Sequence, residues 1–443
     1  MPDNTALSRG FCDVLVIGGG PAGSTAAALL AEKGWHVVLL EKDQHPRFHI
    51  GESLLPANLR LFERLGVQQS IAQIGVPKYG AHFVSSYHDK NETFYFTEAV
   101  DKSLTYAYEV RRSEFDHVLL QNCASKGAEV HEQTRVTQVE FRPGDNAVVT
   151  ARNATGTDRS WETRYVVDAS GRDTFLANAF GIKARNRLHN SAAVFAHFAG
   201  AERLPGSDAG NISVFWFDHG WFWMIPLRDG AMSVGAVCWP YYMKSRKTDV
   251  ETFLMDTIAL CPGVAQRLQH AKLISSVTAT GNYSYQAQYT SGERFILVGD
   301  AFAFVDPVFS SGVMLAMNSA FLGAEVVHDS LTRPQLAKKR RHEYDHRVRH
   351  GLKMFSWFIY RVTTPAIRYM FMHPANFFRM REGLISLLAG DIFGSTPIYW
   401  KILAFKLFYY LTSLRLWKES LHSYKLRRNN VKPIAFSYSE PTV

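Results

Sequence analysis

Asp13-Val14-Leu15-Val16-Ile17-Gly18-Gly19-Gly20-Pro21-Ala22-Gly23 is the stretch from which the fold is read. An apolar, β-branched run predicts a buried strand, the glycines a tight turn, and the small residues Ser24 to Ala31 a helix packed closely on that strand. In such a unit Gly18 makes the turn, Gly20 lets backbone approach a pyrophosphate, and Gly23 lets helix and strand close up, with Ala22 beside them. On its own the motif would fit a Gly-rich turn in some other α/β domain. Here a second strand, His36-Val-Val-Leu-Leu40, follows and ends in Glu41, the carboxylate expected to hold a ribose hydroxyl. The whole context predicts a Rossmann-type α/β domain that binds a dinucleotide.

Composition bounds the rest. With 443 residues, 47% apolar and 20% charged, the chain is long enough for two or three packed units. Cys12, Cys123, Cys238 and Cys261 lie far apart with no C-x-x-C pair, and the first ten residues are polar. These features predict a reduced, cytoplasmic protein with no metal site. The net charge of +9 permits contact with acidic partners, but no nucleic-acid-reading motif accompanies it, and nucleic acid is not expected as a partner.

Further polar segments fall where a cofactor domain would need them. Arg47 and Ser53 occupy an irregular stretch after Glu41, and Arg112 opens a run of helical spacing through Leu119. Tyr165-Val-Val-Asp168-Ala169-Ser170-Gly171-Arg172 reads as another strand and turn. Val298 to Met317 passes through Gly299-Asp300 and Asp306-Pro307 to Ser310-Ser311-Gly312 at the mouth of an apolar helix, whose N-terminus is suited to an anion. Motifs spread so widely imply one domain assembled from separated segments.

Over residues 11 to 330 the sequence resembles the FAD-dependent aromatic hydroxylase superfamily. The resemblance implies FAD, held by Gly18, Gly20, Ala22, Gly23, Glu41, Arg47, Ser53, Arg112, Asp300 and Val313. It implies a discontinuous FAD-binding domain (10–75, 109–185 and 286–330) and a substrate-side antiparallel β-sheet (76–108 and 186–285). Alternating stretches such as Ala192 to Phe198 and Met232 to Cys238 agree with such a sheet.

Within that sheet, Gly220-Trp221-Phe222-Trp223-Met224-Ile225-Pro226 would ordinarily be an aromatic strand buried in a core. In a chain of this kind, W-x-W-x-I-P resembles the signature of the flavin-dependent halogenases. That resemblance implies that Trp221 and Trp223 line a passage keeping substrate off the flavin, and that Lys78, in Lys78-Tyr79-Gly80-Ala81-His82-Phe83, presents electrophilic halogen. It also implies that Ser311 and Gly312 hold chloride or bromide. Reduced FAD with O2 would turn the halide into hypohalous acid. A separate flavin reductase is expected to supply FADH2, because no second nicotinamide-binding unit is visible.

Phe309 stands where tryptophan halogenases carry a glutamate. It is expected in the substrate pocket, and it points away from free tryptophan toward a phenol or pyrrole, free or tethered to an acyl or peptidyl carrier protein. If an acid or base is needed, Glu109, Asp306 or a nearby histidine remain open. Two other readings also stay open: a flavin monooxygenase or isoprenoid-type reductase, and a carrier- or membrane-binding protein that retains flavin without turnover.

Residues 331–443 are expected to form a helical C-terminal cap. Lys338 to Arg341 and His346 to His350 make a basic helix face, most simply a solvated one, otherwise a dock for an acidic carrier or lipid surface. Ile398 to Trp417 is apolar at helical spacing but interrupted by Lys401, Lys406 and Arg415, so it is expected to lie on a membrane at most and not to span one. The tail from Lys425 is expected to be loosely ordered.

Overall fold

The computed structural model describes residues 9–430, apart from 143, 145, 187–188, 190, 282–283 and 394–395. Its first ten strands are β1 (Arg9–Ile17), β2 (Val37–Leu40), β3 (Val76–Lys78), β4 (Gly80–Ser85), β5 (Lys90–Tyr95), β6 (Ala107–Glu109), β7 (Glu129–His131), β8 (Thr134–Phe141), β9 (Ala147–Asn153) and β10 (Asp158–Asp168).

Among the described residues, a seven-stranded sheet runs β7-β2-β1-β10-β9-β8, with strand Phe295–Leu297 also paired to β10. β7, β2, β1 and β10 are parallel, whereas β9 pairs antiparallel with the first half of β10. The second half of β10, Val166 to Asp168, takes Phe295–Leu297 in parallel. Every residue of β2 is buried, as expected for a parallel strand covered on both faces. Helix Pro21–Glu32 opens with proline at its first turn and packs its small-residue face on the sheet. The closeness of that packing needs Gly23, where a Cβ would lie 1.9 Å from the Gly18 carbonyl oxygen. Gly18 has φ +99°, a left-handed conformation open to glycine at little cost.

Among the described residues, an eight-stranded sheet has the order Lys272–Leu273, Ala192–Ala199, Ala231–Cys238, Gly220–Pro226, Ile212–Phe217, β4, β5, with Thr278–Thr280 on the second of these. The expectation of an antiparallel sheet needs one correction: Ile212–Phe217 runs parallel to β4. The two strands come from distant segments joined by long connections, so no hairpin forces them antiparallel. Alternation along Gly220–Pro226 turns Trp221, Trp223 and Ile225 to one face and Phe222 and Met224 to the other. The first face joins the core beneath the C-terminal helices. The second is covered by helices Val250–Ala259 and Pro262–Arg267.

After helix Gly312–Thr332, the C-terminal part is helical, as expected: Pro334–Ile359, Pro365–Met372, Met380–Leu388, Tyr399–Arg415 and Trp417–Asn430. Residues 425–430, expected to be loosely ordered, continue the last helix, and the remainder of that expectation lies outside the described residues. Each turn of that helix satisfies its own backbone groups, which the polar composition of the segment does not prevent. Among the described residues no helix is long and apolar enough to cross a membrane.

Candidate active site

Between the two sheets lies a cleft whose walls carry most of the residues singled out by sequence. Gly18, Gly20, Ala22, Glu41, Arg47, Ser53, Arg112 and Asp300 line it. Trp221 and Trp223 line it from the larger sheet, and Gly312 and Val313 from the start of helix Gly312–Thr332. Four predicted residues stand behind the wall: Gly23, which packs on Gly18; Ser311, which is buried; and Lys78 and Phe309.

The acidic and basic groups of the cleft hold one another in place. Both oxygens of Glu41 accept backbone N–H groups, from Gly19 at 2.6 Å and Asp43 at 2.9 Å. Each carboxylate oxygen keeps a further lone pair for a hydroxyl. Arg112 grips Asp116 bidentately, Nε to Oδ1 at 2.8 Å and Nη2 to Oδ2 at 3.0 Å. Burial alone would raise the Asp116 carboxyl, but Arg112 beside it holds it below the usual range. Arg47 Nη1 lies 3.5 Å from the same carboxylate, while its buried Nε has no hydrogen-bond partner. Burial pushes Asp300 up to about 6, against the pull of Arg172 and Arg112.

This donor set fits FAD. Arg47 with its orphaned Nε and the N-terminus of Pro21–Glu32 line the cleft with the cation and N–H groups a pyrophosphate would need, and Arg112, whose nitrogens donate to Asp116 and to the Ile50 and Gly51 carbonyls, lines it too. A Cβ on Gly20 would enter the same space, meeting Arg47 at 3.7 Å.

Lys78 is placed by three extended segments lying side by side. β3 pairs with β6, and Ser53 bridges to Glu109 on the other edge of β6, reinforced by Leu54 N–H to Tyr108 O and Val110 N–H to Glu52 O. Only 1% exposed, Lys78 donates from Nζ to Ser53 Oγ at 2.7 Å and to the Leu54 carbonyl at 3.0 Å. Ser310 Oγ donates to the same Ser53 Oγ at 2.9 Å. Ser53 and Ser310 both line the cleft, so two hydroxyls connect it to the hidden amine. Ser310 holds φ +56°, a left-handed conformation that is strained for a non-glycine residue.

Glu109 lies wholly buried with Oε1 3.7 Å from Lys78 Nζ, and neither carboxylate oxygen has a hydrogen-bond partner. Burial pushes its carboxyl up to about 8, although Lys78 opposes the shift. Burial likewise pushes the Lys78 ammonium down, with Glu109 opposing. The pair therefore sits where a proton can reside on either partner. Asp306, another of the three options, is occupied structurally: it accepts from Ser191 Oγ at 2.9 Å and from the Val308 N–H at the start of a short turn.

Trp221 and Trp223 stand side by side on one face of their strand, ring centroids 6.0 Å apart and planes tilted by 52°, and Trp223 Nε1 donates to Ser233 Oγ at 3.1 Å. Trp223 can sit there only because its cross-strand partner is Gly235, where a Cβ would fall 2.2 Å from the indole. Helix Gly312–Thr332 receives no side-chain cap from Ser311, so the N–H groups of its first turn are left to another acceptor. Phe309 packs into the apolar cluster that also holds Trp221, Phe358 and Leu384.

Sequence reasoning missed the Glu52–His197 pair, Oε1 to Nε2 at 2.9 Å and fully buried at the cleft wall, and it gave no role to Ser310 or Gly235. Ser310 was visible only as the first member of a Ser-Ser-Gly turn. The residues meeting Gly235 lie on two other strands and leave no local signal.

A model of the FAD binding domain matches residues 11–332. The 1H-pyrrole-2-carbonyl-[peptidyl-carrier protein] chlorinase of Pseudomonas fluorescens is 29% identical over 408 residues, 86% of this chain and 89% of that protein. The flavin-dependent halogenase gsfI of Penicillium aethiopicum is 36% identical over 346 residues, 72% of this chain and 64% of that longer protein. Among solved structures, the myxobacterial chondrochloren halogenase CndH superposes with a TM-score of 0.75 at 36% identity, covering 79% of this chain and 82% of CndH. A match of this extent, added to a cleft that fits FAD, places the chain among the flavin-dependent halogenases.

Proposed function

We propose that the protein halogenates an electron-rich aromatic ring, a phenol or pyrrole, with chloride or bromide as the halogen source. The observation that carries this reading is the link from the cleft through Ser310 and Ser53 to the buried amine of Lys78. Gly20, Glu41, Arg47, Arg112, Asp300 and Val313 would hold FAD along the cleft. Bound there, reduced flavin supplies with O2 the two-electron oxidation that converts halide and a proton to hypohalous acid and water.

The first-turn N–H groups at Ser311 and Gly312 hold the halide, favoured by the partial positive charge of about +0.5 at a helix N-terminus. Trp221 and Trp223 wall the larger sheet's side of the cleft and keep the ring away from the cofactor. Lys78 receives the hypohalous acid, as an ammonium donating to its oxygen or as a free amine that takes the halogen and releases water. Glu109, whose Oε1 lies 3.7 Å from Lys78 Nζ, exchanges the proton that Lys78 loses or regains in that step. The ring attacks the halogen held at Lys78, the nitrogen–halogen or oxygen–halogen bond breaks, and the ring's displaced proton balances the step by ending on the Lys78 nitrogen or on the released hydroxyl, which leaves as water.

Phe309 supports a ring activated by its own hydroxyl or nitrogen, since it supplies no acid. The likeness to a chlorinase of a carrier-bound pyrrole supports a carrier-tethered substrate. A separate reductase supplies FADH2, and the free, buried cysteines support a reducing cytoplasmic setting.

Purified protein with FAD, a flavin reductase, NADH, O2 and chloride or bromide, offered free phenols and free or carrier-bound pyrroles, tests the reading by mass spectrometry. Halogenated product from the wild type and none from Lys78→Ala, with flavin reoxidation retained in both, is expected. Hydroxylated product independent of halide would replace it with a monooxygenase.

A further inference from the structure

Helix Tyr399–Arg415 is apolar on two opposite sides. Ile402, Phe405 and Tyr409 face inward and join the cluster that holds Trp221 and Phe309. On the other side Trp400, Leu403, Leu407, Leu411 and Leu414 recur at three- and four-residue spacing and stand in solvent, Trp400 and Leu414 each 72% exposed. This stripe is about 21 Å long at 1.5 Å per residue. The next helix, Trp417–Asn430, adds exposed Trp417, Leu421 and Tyr424. A helix with an apolar stripe on each of two sides requires cover on both, and among the described residues the fold covers only one.

Beside the stripe a turn carries Phe377, stacked on Phe408 at 5.5 Å, and Phe378, which is 79% exposed. Phe378 and Arg379 both hold left-handed backbone, φ +53° and +57°. Such strain in a bulky residue, spent on presenting a phenyl ring to solvent, marks a built tip.

The charges name the occupant. Lys401, Lys406 and Arg415 lie on Tyr399–Arg415, which has no Asp or Glu, and Lys418 and Lys425 follow with Glu419 as the only carboxylate between them. Trp, Tyr and Phe among lysines and arginines is the composition of a helix lying in a bilayer interface. A second copy of the chain would set these cations against their own images, whereas an acidic lipid surface attracts them.

We propose that helices Tyr399–Arg415 and Trp417–Asn430, with the Phe377-Phe378 tip, dock the protein on the surface of an anionic lipid bilayer. The helices lie in the plane of the membrane and do not cross it. This goes beyond the halogenase reading and does not depend on it.

Co-sedimentation of the full chain with vesicles tests it: phosphatidylcholine alone against phosphatidylcholine with one-third phosphatidylglycerol, at about 50 and 500 mM NaCl. Binding at least about tenfold tighter to the anionic vesicles, weakened by salt, is expected. Two variants, Trp400→Ser with Leu407→Ser and Phe378→Ser, and separately Lys401→Glu with Lys418→Glu, should lose it while keeping the wild-type melting temperature and FAD affinity. Failure of the wild type to bind anionic vesicles at low salt overturns the proposal, as does undiminished binding by both variants. Dimerisation at micromolar concentration that the first variant abolishes, or salt-sensitive binding of an acidic carrier protein without vesicle binding, assigns the face to another occupant and overturns it equally.

Discussion

Lys78 Nζ stands 3.7 Å from Glu109 Oε1 in a region that leaves neither side chain more than 1% exposed. Neither ion is well solvated there, and neither carboxylate oxygen has a hydrogen bond to stabilise its charge. In the proposed reaction this pair trades a proton.

Glu109→Gln keeps the shape and removes the proton site. Halogenated product per flavin oxidised is expected to fall about 10²-fold, within the range for a positioned acid or base. FAD affinity should stay within about twofold, read by fluorescence titration. Full product yield from this variant would remove Glu109 from the chemistry.

The same carboxyl should write itself into stability. Its folded pKa of about 8 lies above the 4.5 of an unfolded glutamate, so the folded chain holds the proton longer. The stabilisation is complete below about pH 4.5 and is lost as pH rises through 8, on the order of a few kcal/mol. Melting temperatures of wild type and Glu109→Gln between pH 5 and 9 should therefore converge or cross as pH rises, the wild type losing ground. Parallel curves would contradict the assignment.

Gly235→Ala puts a methyl group 2.2 Å from the Trp223 indole. Overpacking of this kind costs about 1–3 kcal/mol. A lower melting temperature is expected together with a changed tryptophan fluorescence, and with more product lost to reaction at the flavin if Trp223 is displaced from the cleft. A variant melting within 1 °C of wild type would show that the strand yields instead.

Arg112→Lys exchanges a fork for a point charge. It cannot reproduce the two bonds to Asp116 and leaves that buried carboxylate partly unpaired. FAD affinity is expected to drop at least about tenfold by equilibrium dialysis, with larger losses at high salt. An unchanged affinity would place the pyrophosphate elsewhere.

The cofactor end of this site is legible in sequence because its chemistry is local: strand, glycine turn and helix N-terminus are contiguous from Asp13 to Ala31. Lys78 and the tryptophans are legible only through family likeness. What no reading of the chain supplies is the meeting of Ser53, Lys78, Glu109 and Ser310, since four segments must fold before any of them has a neighbour. Glu109 and Asp306 are both buried and differ only in their neighbours: Glu109 Oε1 lies 3.7 Å from Lys78 Nζ, whereas Asp306 accepts from Ser191 and Val308. The parallel pairing of Ile212–Phe217 with β4 escaped for a related reason: alternation predicts a strand's faces but not its direction.

Strand Phe295–Leu297 completes the edge of β10 at Val166 to Asp168, and between them in the chain comes most of the other sheet. On the ribosome the cofactor sheet must therefore wait, its edge open, for roughly 6 to 26 s at about 5–20 residues per second. During that interval an unpaired apolar strand edge is offered to any other nascent chain. Yield in a heterologous host should accordingly be limited by chaperone supply and translation speed before it is limited by the stability of the finished protein.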